Sequence, residues 1–120
     1  MDGIIIVNKS KNCTSHDVVR KAKKILNEKV GHTGTLDPNA TGVLPILIGK
    51  GTQLSKYLIN HDKKYIATLQ LGIKTDTADI EGNVIDKQDI NMDCISESII
   101  NNIFQSIVGK QIQTPQYILL

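Results

Sequence analysis

A chain of 120 residues, 40% hydrophobic and 22% charged, has the size and composition of a small globular domain and not of a disordered segment. Its longest apolar runs, Ile4–Val7 and Val43–Ile48 with Pro45 included, are far short of the roughly 18 residues of a membrane span, and Asp2 and Lys9 do not suit a secretory signal. Two cysteines, Cys13 and Cys94, argue against a disulfide framework and make the cytoplasm the expected compartment, while the net charge of +2 hides a division: residues 1–64 carry a net +6 and residues 65–120 a net −4.

That division points either to a surface facing a polyanion on the first half or to an uneven solvated surface. In chain order, Gly3–Val7 reads as a short buried strand and Asn8–Cys13 as a polar turn or loop. Thr14 or Ser15 can cap a helix running to about Leu26, with Asp17 in its first turn. Val18, Val19, Ala22, Ile25 and Leu26 form its apolar face, with Arg20, Lys21, Lys23 and Lys24 mostly off it. Gly31–Gly42 is irregular. Val43–Ile48 is a second strand, which Pro45 marks as an edge or interrupted one. A helix over about Thr52–Ile59 turns Leu54, Tyr57 and Leu58 inward.

Lys64–Leu71 alternates as a strand, with Tyr65, Ala67, Leu69 and Leu71 on one face. Gly72–Gly82 is a polar loop, and Asn83–Asp86 returns as a hairpin strand. Ile95, Ile99, Ile103 and Ile107 recur every four residues, giving an amphipathic helix over about Ser96–Val108 that Gly109 can end. Lys110–Gln113 opens a further strand. The expected fold is α+β, a mixed and largely antiparallel sheet with flanking helices and no visible domain boundary.

Chemistry is concentrated in Gly31–Gly42, where three glycines and a proline fix a particular backbone path around one carboxylate, Asp37, and one imidazole, His32. From spacing alone, Asp37 is either a rigidly held site carboxylate or the side chain of an Asx-turn after Pro38. Other motifs fail. Gly49-Lys50-Gly51-Thr52 lacks the hydroxyl directly after the lysine and the earlier glycine of a phosphate loop. Around Asp76–Gly82, the first and twelfth positions of a calcium loop would fall on Thr77 and Gln88. His16, His32 and His61 have no zinc spacing with the two cysteines. No Gly-x-Ser-x-Gly is present.

Gly31-His32-Thr33-Gly34-Thr35-Leu36-Asp37-Pro38, continued by Ala40-Thr41-Gly42-Val43-Leu44-Pro45, resembles the signature of the TruB-type tRNA pseudouridine synthases. Gly3–Lys9 with Thr14-Ser15 resembles the opening segment of that family, Lys63-Lys64-Tyr65 its K-x-Y strand, and Leu71-Gly72 with Thr75–Gly82 its LG…TDTxDxxG segment. Gly109 with Gln113-Thr114-Pro115 resembles the start of a further motif, so the resemblance covers nearly the whole chain.

The resemblance implies the N-terminal part of a pseudouridine synthase catalytic domain, residues 1–120, acting without a cofactor on uridine 55 in the T-loop of tRNA. It implies Asp37 as the catalytic carboxylate, either a nucleophile at ribose C1′ or a base toward the 2′ hydrogen. It implies Tyr65 stacked on the extruded uracil, where pattern alone would give a core tyrosine. It implies His32 filling the space the base leaves. Lys9 would order the active site or the RNA backbone, and Lys9, Lys11, Lys63 and Lys64 are candidates for T-arm phosphates. The partner implied is the tRNA T-arm, with no membrane and no obligatory protein partner, and the start at the first strand suits the stand-alone bacterial type.

Ser10 stands where the family usually has Pro, and Asn12 where it usually has Gly. After Pro115 the family pattern gives way to Gln116–Leu120. The family's later segments carry another active-site tyrosine, an arginine that pairs with the catalytic aspartate, and an RNA-binding domain. The chain is therefore expected to be an incomplete synthase with little or no turnover alone. The alternatives are a non-catalytic RNA-binding fragment and a non-functional remnant.

Overall fold

The computed structural model describes residues 1–114. Pro115–Leu120, including the last part of the C-terminal match and the departure after it, lie outside the described residues. The chain divides into two compact units, Met1–Tyr65 and Ile66–Leu120.

The first unit runs β1 (Gly3–Lys9), α1 (Ser15–Leu26), β2 (Val30–His32), β3 (Gly42–Ile48), a 3-10 turn (Gly49–Leu54) and α2 (Ser55–Leu58). Its sheet has the order β1-β3-β2 with both pairings antiparallel, Gly3 opposite Ile48 at one end of the longer ladder and Lys9 opposite Gly42 at the other. In α1, Thr14 is the N-cap. Its hydroxyl accepts from the Asp17 N–H at 3.0 Å, and the Asp17 carboxylate accepts from the Thr14 N–H at 2.9 Å, a reciprocal capping box. Asn27, in the left-handed region at φ 52°, closes the helix by donating to the Lys23 carbonyl.

Val19, Leu44, Ile46 and Ile48 form the buried core, with Val7, Val18, Ala22, Leu26, Val30 and Leu36 packed around it. Period-two alternation sends Leu44, Ile46 and Ile48 to the face that α1 covers. Ile25, expected on that apolar face, is 70% exposed. At about 100° per residue it sits on the rim of the arc whose centre is Ala22.

β3 is the central strand, not an edge, despite Pro45. The Thr33 N–H donates to the Pro45 carbonyl at 3.2 Å, so the backbone of Pro45 faces the β2 side. The β2 ladder already ends there, at His32 opposite Ile46, so the missing proline donor interrupts no pair. The expected helix over Thr52–Ile59 is instead the 3-10 turn followed by a four-residue α2, with Leu54 and Tyr57 exposed and only Leu58 half-buried. So short a helix presents no continuous inner face. The Gly-Lys-Gly segment is structural: the Asp2 carboxylate accepts from the Lys50 N–H at 2.7 Å, and a Cβ at Gly51 would collide with the Gly3 carbonyl.

In the second unit, β4 (Ile73–Thr75) and β5 (Val84–Lys87) make an antiparallel hairpin. Ile73–Thr75, expected as loop, is thus a strand. The intervening loop uses its own carboxylates. Asp76 accepts from the Asn83 N–H at 2.8 Å, and Asp79 accepts from the Glu81 and Gly82 N–H groups at 2.9 and 3.2 Å. After a short 3-10 turn at Met92–Cys94, α3 spans Glu97–Ser106, capped by Ser96. It ends before Gly109, and Ile99, Ile103 and Phe104 remain exposed. Neither Lys64–Leu71 nor Lys110–Gln113 forms the strand expected of it. An extended segment is a strand only when a neighbour takes its N–H and C=O groups, and none does so among the described residues. The result is the expected α+β class with antiparallel pairing.

Candidate active site

The loop between β2 and β3 carries Asp37. The Ala40 N–H donates to the Asp37 carbonyl at 3.0 Å, so the turn over Pro38-Asn39 is closed by main chain. No N–H donates to the Asp37 carboxylate among the described residues, so the side chain makes no Asx-turn there. The carboxylate is exposed, and among the described residues no hydrogen bond or ion pair engages it.

Two anchors flank this residue. Lys9, at the end of β1, is only 1% exposed, and its ammonium donates to three carbonyls: Ser10 at 2.9 Å, Cys13 at 2.6 Å and Pro38 at 3.1 Å. Ser15, the first residue of α1, is equally buried. Its hydroxyl accepts from the Leu36 N–H at 2.9 Å and donates to the Leu36 carbonyl at 3.2 Å. The residues immediately before and after Asp37 are thus tied to two different elements of the first unit. Buried and taken up by three carbonyls, the Lys9 ammonium is not presented at the surface, where a phosphate contact would need it. The β1–α1 loop turns at Asn12, with φ 60°, which explains how asparagine serves where the resembled family usually has glycine.

His32 ends β2, half-buried beside a cavity of about 320 Å³ that Lys29, Gly31, Leu47, Thr52 and Gln53 also line. Its Nδ1 and the adjacent Thr33 Oγ1 are buried with no hydrogen-bond partner among the described residues. Burial lowers the His32 pKa, and the charge of His16 lowers it further, so the ring is held toward its neutral form. Gly34, at φ 73°, lies under two side chains: a Cβ there would stand 3.3 Å from Lys63 Cε and 3.6 Å from His61 Cε1. Tyr65 is 61% exposed in the unpaired stretch, and no hydrogen bond ties it to the Asp37 loop among the described residues.

The structure therefore brings Lys9 and His32 to the Asp37 loop and leaves Tyr65 unattached to it. Sequence reasoning missed Ser15 as an anchor, because it reads equally well as a helix cap and its partner is 21 residues away. The packing of His61 and Lys63 over Gly34 had only one sequence signal, a glycine that leaves room above its backbone.

A family model described as "TruB family pseudouridylate synthase (N terminal domain)" matches residues 21–118. The chain is 44% identical over 116 residues to tRNA pseudouridine synthase B of Francisella tularensis subsp. tularensis (strain WY96-3418), covering 96% of this chain and 38% of that protein. It is 43% identical over the same length and coverage to tRNA pseudouridine synthase B of Bacillus cytotoxicus. The chain thus spans about two fifths of the length of the curated relatives it matches. A solved chain in the structure of an H/ACA RNP bound to a substrate RNA containing 2'-deoxyuridine is 51% identical with a TM-score of 0.45, over 47% of this chain and 18% of that one.

Proposed function

This chain belongs to the TruB family of pseudouridylate synthases, and from that premise we propose that it is part of the catalytic domain of an enzyme that converts uridine 55 in the T-loop of tRNA to pseudouridine. The observation that carries the reading is the pair of anchors around Asp37, at Pro38 through Lys9 and at Leu36 through Ser15. They fix the backbone on both sides of a carboxylate that no other group engages among the described residues, the preorganisation that a reacting carboxylate needs.

The reaction is an isomerisation. The N1–C1′ bond breaks, the uracil turns, a C5–C1′ bond forms, and a proton leaves C5 while N1 gains one. No net oxidation occurs, so no redox cofactor is called for. Asp37 acts at the ribose, as nucleophile at C1′ or as base toward the 2′ hydrogen. The target base must leave its stack, at a cost of about a few kcal/mol, and a ring from His32 entering the vacated space offsets part of it. The neutral form favoured by burial suits that stacking role. Tyr65, exposed and therefore accessible to a base, stacks on the extruded uracil. The T-arm is the partner, and the cytoplasm, where tRNA resides, is the compartment. No helix among the described residues is long and apolar enough to cross a membrane.

One observation favours binding without turnover by these residues alone: Asp37 has no cationic partner among them. The test is therefore a chimera in which this chain replaces the matching segment of the Francisella relative, assayed by release of tritium from C5-labelled uridine in tRNA. Release is expected, and it should vanish when the T-loop uridine is cytidine. A chimera that folds and binds tRNA without release, or that releases equally from the cytidine substrate, would overturn the reading.

A further inference from the structure

We propose that the outer face of α1, through Lys21, Lys23 and Lys24, holds phosphates of the tRNA strand adjoining the Asp37 loop. The inference rests on the RNA-binding part of the functional reading and adds a surface to it.

The apolar arc of α1 is spent on the core, through Val18, Val19, Ala22 and Leu26. At about 100° per residue the opposite arc is centred on Arg20 and Lys24, with Lys21 and Lys23 at its two edges, and all four are exposed. Arg20 is neutralised by Asp17 at 2.6 Å. The ion pairs among the described residues are that one and the pair between the N-terminus and Glu28, so the three lysines are uncompensated. Attraction to the C-terminal end of the helix dipole accounts for Lys23 and Lys24 in the last turn, but not for Lys21.

The placement relative to the loop gives this charge a direction. The helix starts at Ser15, which grips Leu36 beside Asp37. At 1.5 Å per residue, Lys21–Lys24 lie roughly 9–14 Å along the axis from that anchor. Lys63 lies over Gly34, within the same loop. The first unit carries the excess of positive charge and the second the excess of negative, so a polyanion is drawn to the first unit. With Lys9 buried, α1 offers three exposed, unpaired lysines within four residues of sequence.

The experiment measures binding of the 120-residue chain to an unmodified tRNA transcript across a salt series. The comparison is with the triple variant Lys21→Gln/Lys23→Gln/Lys24→Gln and with a control, Lys74→Gln/Lys87→Gln/Lys110→Gln, of identical charge change. Loss of three phosphate contacts should reduce the slope of log K against log salt by about 2. Over a fourfold rise in salt the unsubstituted chain then loses roughly 16-fold more affinity than the α1 variant. The control should keep its slope, and Lys21→Arg/Lys23→Arg/Lys24→Arg should restore it. An unchanged slope in a folded α1 variant, or an equal fall in the control, overturns the inference while leaving the functional reading intact. Absence of tRNA binding by the unsubstituted chain overturns both. Loss of binding to phosphatidylserine vesicles with no change toward tRNA would assign the face to a membrane and overturn the inference alone.

Discussion

The buried ammonium of Lys9 donates to the carbonyl of Pro38 at 3.1 Å, one residue beyond Asp37. A cation in that position needs acceptors, and three carbonyls supply them from two separate loops. Lys9→Met keeps the aliphatic stem and strands the carbonyls, each unpaired buried group costing about 1–3 kcal/mol. The expected loss is about 2–3 kcal/mol in urea-induced unfolding, together with faster hydrogen exchange in residues 37–40.

Ser15→Ala removes both hydrogen bonds to Leu36 and leaves its N–H and C=O without partners. The expected destabilisation is about 1–2 kcal/mol. Helix capping should be untouched, because Thr14 and Asp17 supply it. A variant that loses helix content by circular dichroism in step with stability would place Ser15 in the cap and not at the loop.

Asn12 bears a left-handed backbone, so its replacements have a sign. Asn12→Gly should be neutral or stabilising by about 0.5 kcal/mol, whereas Asn12→Val should cost about 1–2 kcal/mol. Thermal unfolding of the two variants in parallel checks the order.

The hydroxyl of Thr14, then its backbone N–H, then Arg20 hold the Asp17 carboxyl below its ordinary value of 3.8. A folded-state pKa below the unfolded one means that this group stabilises the fold above the unfolded value. The contribution is lost as pH falls through the lower, folded value. Asp17→Asn should therefore flatten the acid side of the stability profile below about pH 4 and leave its alkaline side unchanged.

Much of this was legible because the signals are local. The start of α1 at Thr14 or Ser15, with Asp17 in its first turn, and the strand in the apolar run Val43–Ile48 each follow from a few adjacent residues. The Asp37 loop announced itself through its glycines and proline, and its family through a long specific match. What stayed hidden is non-local. A lone lysine reads as surface, and only the carbonyls of the adjoining loop, at Ser10 and Cys13, together with the distant one at Pro38 make Lys9 an interior residue. Pro45 reads as an edge marker until the early end of β2 is known. Lys64–Leu71 has the alternation of a strand, but pattern cannot supply a partner.

The most direct test of the account compares tRNA binding and C5-tritium release for the chimera with and without Asp37→Ala. Because the loop is held at Pro38 and Leu36 and not by the carboxylate, the variant should fold and bind as before. Release should fall by at least about 10²-fold, the usual scale for removing a reacting carboxylate. Release that persists at the unsubstituted rate would contradict the assignment of Asp37, and with it the role given to Lys9 and Ser15.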